Sequence, residues 1–149
     1  LATIAFVIEN LFPPLFLPGA KIGVSNIFIL FALISLGGGY AFFVLIAKVM
    51  LGSLFSGNVS AIIYSLPAGV IALTAETIIV YLIKKTSIIA TSIVGAIFNV
   101  IVQNIVFCLV TGAAEYLCYL PYLSLIGIFS GLTVGVAVFL LNKYIPIFR

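Results

Sequence analysis

Two charged residues lie inside apolar runs of this sequence, and they are the first candidates for chemistry. Lys48 lies inside the apolar run from Tyr40 to Phe55, and Glu76 lies in the later half of the stretch from Ser60 to Ile83. A charged side chain within a membrane span costs several kcal/mol unless it pairs, reaches water or extends to the interface, so it is a functional candidate by default. Each lies about two turns before the end of its run, and the two ends face opposite sides of a membrane, so we expect no direct contact. For Lys48, extension towards the membrane surface is the alternative to a role in binding.

Amide side chains form a second group. Asn99 and Gln103 are four residues apart and therefore lie on one face of a helix, with Ala96 one turn earlier. Such a stripe either supplies hydrogen-bond donors and acceptors to a cavity or joins neighbouring helices. The sequence leaves both interpretations open.

A third group surrounds a proline-rich segment between residues 8 and 27. Three prolines remove three backbone donors, so the helix that reaches Phe12 must end there. Non-helical backbone at membrane depth is tolerated only where it is buried in protein, lines a polar cavity or lies at the water interface. Lys21 begins the next predicted helix, where free backbone N–H groups and the helix dipole favour an anionic or polar ligand group. The alternatives are an ordinary helix connection and a structural latch in which Lys21 pairs with Glu9.

The residue types that are missing exclude much catalytic chemistry. The sequence contains no Asp and no His, and Cys108 and Cys118 are its only cysteines. A four-ligand zinc site, a Ser-His-Asp triad and a Cys-His pair are therefore out of reach. A disulfide would require both cysteines to face the outside, and we expect Cys108 to be a free thiol in an apolar run. We predict no catalytic residue, no metal site and no cofactor.

The composition is that of an integral membrane protein. Hydrophobic residues make up 65% of the 149 residues and charged residues 6%, against about 25% charged residues in soluble domains. A span needs about 20 apolar residues, so the chain holds about six spans with short loops, in a single domain over residues 1–149. The net charge of +3 includes no basic cluster with interleaved aromatics, and we therefore expect a lipid bilayer rather than nucleic acid as the partner. Because the chain begins at Leu1, we expect it to begin partway along a helix.

Breaks in the apolar pattern divide the chain into six predicted spans. The first predicted span ends at Phe12. The other five extend over Lys21–Gly37, Tyr40–Phe55, Ser60–Ile83, Ile88–Thr111 and Pro121–Leu141. In the sixth span, glycines recur every four residues at Gly127, Gly131 and Gly135 and form a smooth face. That face serves internal packing or the docking of a partner subunit.

Basic residues outside the spans predict the orientation. Only Lys21 lies on one side of a six-span count, and four basic residues lie on the other: Lys84, Lys85, Lys143 and Arg149. Both termini are therefore expected in the cytoplasm. The proline-rich segment, the turn at Ser56–Asn58 and the loop Gly112–Leu120 then share the outer face, which predicts an outward-facing pocket.

Several short motifs over the first five spans carry a resemblance to a known family. They are Ile8-Glu9-Asn10 with Pro13-Pro14, Pro18-Gly19-Ala20-Lys21-Ile22-Gly23 through Asn26-Ile27, Lys48 with Leu51-Gly52-Ser53-Leu54 and Gly57-Asn58, Tyr64-Ser65-Leu66, and Gly95-Ala96 with Gln103. The chain resembles the membrane family named both Gx transporters and heptaprenyl diphosphate synthase component I, which is related to the S components of energy-coupling factor transporters. Two positions depart from that pattern, with Lys48 in place of a frequent Arg and Asn99 in place of an expected His.

The resemblance implies an all-α membrane protein with a compact, S-component-like bundle of six transmembrane helices. It implies an outward pocket capped by the first loop, and pairing with a transmembrane coupling subunit and two ATPases. The candidate ligand-binding residues are Glu9, Asn10, Lys21, Asn26, Lys48, Asn58, Asn99 and Gln103.

Together these observations predict a subunit of the cell membrane that binds a small anionic or polar molecule for uptake, and not an enzyme. Prenyl-diphosphate condensation by the usual route needs aspartate-rich motifs to hold Mg²⁺, and the sequence contains no Asp. A membrane accessory subunit in isoprenoid or quinone synthesis is the alternative that the family name suggests.

Overall fold

The computed structural model describes residues 1–11, 23–57, 59–83 and 86–144, without the side chains of Asn10 and Leu11. This part of the chain is all helical and contains no strand. The helices are α1 (Ala2–Leu11), α2 (Asn26–Ser35), α3 (Gly38–Phe55), α4 (Ser60–Leu82), α5 (Ile88–Thr111), a 3₁₀ helix (Ala114–Tyr119) and α6 (Leu120–Tyr144). The predicted all-α class is confirmed.

Four of these helices are long and apolar enough to cross a membrane, namely α3, α4, α5 and α6 with the 3₁₀ helix before it. At 18 to 25 residues, α3 to α6 are about 27 to 38 Å long, which matches a hydrocarbon layer of about 30 Å. They expose large apolar side chains such as Phe43, Leu109 and Phe129, each more than 70% accessible. An apolar surface of this kind indicates contact with lipid. By contrast, α1 and α2 contain ten residues each, about 15 Å, within the described part of the chain.

The ends of α5 follow local signals and agree with the predicted limits. Ser87 precedes the helix in an extended conformation, and its Oγ accepts a hydrogen bond from the Ile89 N–H at 3.3 Å. Gly112 ends the helix with a left-handed φ of 69°, which glycine adopts without steric cost.

The predicted start of the second helix at Lys21 is wrong for the helix that contains Asn26. Gly23 has a positive φ of 77°, and the Asn26 N–H donates to the Gly23 carbonyl at 2.9 Å, so a turn precedes α2. The helix therefore begins at Asn26. At its other end only Gly37, with φ of 99°, forms the predicted glycine turn, because Gly38 already belongs to α3.

The glycine face of α6 packs inside the protein, against α5. A Cβ atom at Gly131 would lie 2.6 Å from Ile93 Cα, and one at Gly135 would lie 2.8 Å from Ile89 Cα. Both distances are shorter than any normal carbon contact, so the two backbones approach as closely as they do only because these residues are glycines. Of the two interpretations of this face, internal packing is confirmed.

The apolar core lies between α2, α3, α4 and α6. Leu30 and Leu33 of α2, Leu45 of α3 and Val138 of α6 are all at most 2% accessible. Two turns further along α3, the Phe6 ring of α1 packs directly on Gly52, where a Cβ would overlap the ring. This contact fixes α1 against α3 and brings the end of α1 to the start of α2.

Candidate functional site

The carboxylate of Glu9 is bonded to the chain just before α2. Ser25 Oγ donates a hydrogen bond to Glu9 Oε2 at 2.6 Å, and the Ser25 backbone N–H donates to Glu9 Oε1 at 3.4 Å. Glu9 reaches Ser25 because it lies one turn after Phe6, which is anchored on α3. The N–H groups at a helix start have no partner within the helix, and the dipole there favours an anion. The structure therefore joins Glu9 to Ser25, whereas the predicted latch partner Lys21 lies outside the described residues.

Lys48 lies in the interior of the bundle. It is 5% accessible, and its Nζ donates to Asn26 Oδ1 at 2.7 Å, with the Phe6 ring centroid 5.4 Å away. The charge-assisted hydrogen bond and the ring face both stabilise the buried ammonium group. The side chain thus turns towards α2 and does not extend to the membrane surface.

Ser25 and Asn26 are consecutive residues, and this adjacency brings two opposite charges together. Glu9 comes from α1 and Lys48 from α3, yet they bind neighbouring residues at the start of α2. The resulting polar group joins the first three helices.

A cavity opens beside this group, with a volume of about 40 Å³. On that measure a water molecule needs about 10 to 15 Å³, so the cavity has room for about three waters. Five of the predicted ligand-binding residues line it: Glu9, Asn26, Lys48, Asn99 and Gln103. The other three predictions fall outside the described structure, which omits the side chain of Asn10 and all of Lys21 and Asn58.

The amide stripe of α5 faces this cavity. Asn99 and Gln103 line it together with Ala96, as their spacing predicts. Gln103 is only 9% accessible, and no hydrogen bond between described residues involves its amide or that of Asn99. Amides on a cavity wall are normally satisfied by water or by a ligand.

Three serines on the cavity wall were not predicted as site residues: Ser25, Ser65 and Ser130. Ser65 belongs to the quoted motif Tyr64-Ser65-Leu66, and Ser25 precedes Asn26 at a helix start, so both carried a signal. Ser130 carried none, because it reaches the site only through the packing of α6. A Cβ at Gly23 would lie 2.7 Å from Ser130 Oγ, so the turn before α2 needs glycine for this approach as well as for its φ.

Glu76 lies apart from the cavity. It is 8% accessible, and its carboxylate packs directly against Gly95 of α5, where a Cβ would overlap it. That Glu76 and Lys48 make no direct contact stays a prediction.

The two cysteines are both free thiols, as expected for Cys108. Cys108 is buried and its Sγ lies 3.7 Å from Asn104 Oδ1, while Cys118 is exposed in the 3₁₀ helix. A disulfide between them is therefore absent.

The model of one protein family, heptaprenyl diphosphate synthase component I, matches residues 1–141. The chain belongs to this family. Neither the curated proteins nor the solved structures include a significant match. The match extends from α1 into the last turns of α6, so the cavity lies wholly within the family region. The relation of the heptaprenyl diphosphate synthase component I family to S components stays a prediction.

The family description names one component of a synthase, and the cavity residues show what chemistry this member offers. They supply a carboxylate, an ammonium group, amides and hydroxyls. Among the described lining residues, one hydroxyl is bonded to a carboxylate, since Ser25 Oγ donates to Glu9 Oε2 at 2.6 Å. These groups are suited to binding by hydrogen bonds and charge.

Proposed function

We propose that this chain is a membrane subunit that binds a small polar or anionic molecule in this cavity, which residues of all six α-helices line. The observation that carries the proposal is that Lys48 and Gln103, both buried polar residues, line one cavity. Both side chains are more than 90% buried, and both line the same cavity from different helices. Intramembrane polar groups are costly, and they are retained where they serve binding or transport.

A retention experiment tests this proposal. Wild-type protein and a Lys48→Met variant, both in bilayers of neutral lipid, would be equilibrated with a mixture of small polar metabolites, and retained molecules identified by mass spectrometry. Lys143→Met is the matched control, because Lys143 is exposed on the last turn of α6, about 20 Å along that helix from Ser130. We expect a molecule retained by wild type and by the control but lost from Lys48→Met. Equal retention by Lys48→Met would contradict the proposal.

In this proposal the cavity faces outward in the cell membrane, and both termini are cytoplasmic. The distribution of basic residues supports this orientation. Thiol labelling of single cysteines at Thr86 and at Ser56, in a background without native cysteines, tests it, with Ser56 expected to be reached from outside. Labelling of Thr86 from outside would reverse the orientation.

Uptake would require an energy source that the chain lacks. No glycine-rich nucleotide-binding loop is present in the sequence. We propose that a transmembrane coupling subunit with two ATPases supplies it, as the S-component resemblance suggests. Mild-detergent purification from cells that produce the native protein tests this partner, and recovery of the chain without any ATPase would oppose it.

The family description favours a second candidate, an accessory subunit of heptaprenyl diphosphate synthesis. This role predicts that the chain raises the output of a separate catalytic component without turnover of its own. Prenyl-diphosphate synthesis by the purified chain alone would contradict both candidates. A Lys48-independent stimulation of such a component would favour the accessory role over ligand capture.

A further inference from the structure

The described cavity lining contains one carboxylate and one ammonium group, which belong to Glu9 and Lys48. Each is bonded to a neutral side chain of the α2 start, with Ser25 donating to Glu9 and Asn26 accepting from Lys48. The two anchoring residues are consecutive, and both charged side chains line the same small cavity. A ligand in this space meets both.

We propose that the cavity selects a small zwitterion, a molecule with an anionic group and an ammonium group separated by one or two atoms. This inference rests on the proposed function and narrows its ligand class. An anion bound at Lys48 would also lie near the Glu9 carboxylate, and a cation at Glu9 would lie near the Lys48 ammonium. Inside a bundle of low dielectric these like charges repel strongly, whereas a zwitterion complements both groups.

The size of the cavity agrees with this class. Room for about three waters corresponds to about 90 Å³ of liquid, which suits a ligand the size of the backbone of an α-amino acid. Gln103, a residue that is only 9% accessible, lines the same space, and Asn99 lies one turn earlier on α5. Amides both donate and accept, so they can bind the carboxylate or the ammonium end of such a ligand.

Four probes of similar size test the inference: glycine as the zwitterion, acetate as the anion, methylammonium as the cation and acetamide as the neutral molecule. Binding to wild-type protein in neutral-lipid bilayers at pH 7 would be measured as a thermal shift and by competition with radiolabelled glycine. We expect glycine to bind at least about tenfold more tightly than the other three. This comparison needs no variant, so it decides the matter even if a substitution prevents folding.

Two neutralising variants add a charge-specific readout. Glu9→Gln keeps an acceptor for Ser25 and should shift the preference from glycine to acetate, while Lys48→Gln should shift it to methylammonium. Glu115→Gln and Lys143→Gln are the matched controls outside the cavity, and both should keep the preference for glycine.

The outcomes separate the two levels of the proposal. Tighter binding of acetate, methylammonium or acetamide than of glycine to wild type, with loss on Lys48→Gln, overturns the zwitterion and leaves ligand capture standing. Failure of all four probes to bind at millimolar concentration overturns the zwitterion. If the metabolite mixture also shows no Lys48-dependent retention, ligand capture fails as well.

Discussion

Lys48 Nζ lies 2.7 Å from Asn26 Oδ1, so the buried ammonium of α3 is bonded to the first residue of α2. This hydrogen bond spans 22 positions of sequence and determines how the charge is accommodated in an apolar bundle. Its consequences, and those of the neighbouring contacts, are open to measurement.

Removal of the acceptor should be more harmful than removal of the charge. Asn26→Ala leaves the Lys48 ammonium without this buried partner, which we expect to lower the free energy of unfolding by about 1 to 3 kcal/mol. Lys48→Met should cost less, and the double variant should resemble Lys48→Met alone. Thermal unfolding in detergent of the four proteins measures this coupling. Additive effects would show that the contact is energetically unimportant.

Replacing Gln103 by Met should weaken ligand binding without lowering the stability of the ligand-free protein. In ligand-free protein, Gln103→Met replaces an amide on the cavity wall by an apolar side chain of similar length, so stability should stay equal or rise by about 1 kcal/mol. The stabilisation caused by a bound ligand should fall, because the amide no longer reaches it. Thermal unfolding with and without glycine distinguishes these effects. A large loss of stability in ligand-free Gln103→Met would instead assign the amide a structural role.

Lys21 has two competing interpretations from the sequence, and one pair of variants separates them. As a ligand-binding residue, Lys21→Ala should weaken affinity about tenfold, or about 1.4 kcal/mol, with thermal stability nearly unchanged. As a latch partner of Glu9, Lys21→Ala and Glu9→Gln should destabilise alike and without additivity. Since Glu9 already accepts two hydrogen bonds from Ser25, we expect the first result.

Substitutions of two glycines on the same face of α6 should differ in their effect on stability, because only one of these glycines lies directly against the backbone of α5. A Cβ at Gly131 would lie 2.6 Å from Ile93 Cα, which is backbone and cannot give way, so Gly131→Ala should cost about 1 to 3 kcal/mol. Gly127→Ala is the matched control, because the nearest atom to its Cβ, Ala96 O, is at an ordinary distance of 3.4 Å. Chemical unfolding in detergent compares the two. Equal stability would mean that the helices separate without cost.

The loss of stability caused by a larger residue at Gly95 should be partly reversed by a smaller residue at Glu76. Gly95→Ala places a methyl group where the Glu76 carboxylate lies, so the variant should be destabilised. Glu76→Ala makes room for that methyl group, and the double variant should be more stable than the sum of the single effects predicts. A double-mutant cycle on thermal unfolding checks the sign of the coupling, and a value near zero would place the carboxylate elsewhere.

The sequence alone determined the membrane character, the helical class and most helix ends. The limits of α5 could be predicted because Ser87 and Gly112 act on backbone groups within a turn of themselves. Several polar residues that line the cavity could also be predicted from the sequence. Polar and charged side chains are rare in membrane spans, so Lys48, Asn99 and Gln103 were candidates for a functional site.

Only the tertiary structure decided which groups meet. Glu9 bonds to Ser25, 16 positions away, and Lys48 bonds to Asn26, 22 positions away. Both contacts depend on the packing of Phe6 on Gly52 and on the turn at Gly23 that precedes α2. Ser130 enters the cavity wall because the glycine face of α6 lets that helix approach α5 closely. Caps and prolines act over a few residues, whereas these contacts depend on the relative rotation and spacing of packed helices, which no local pattern specifies.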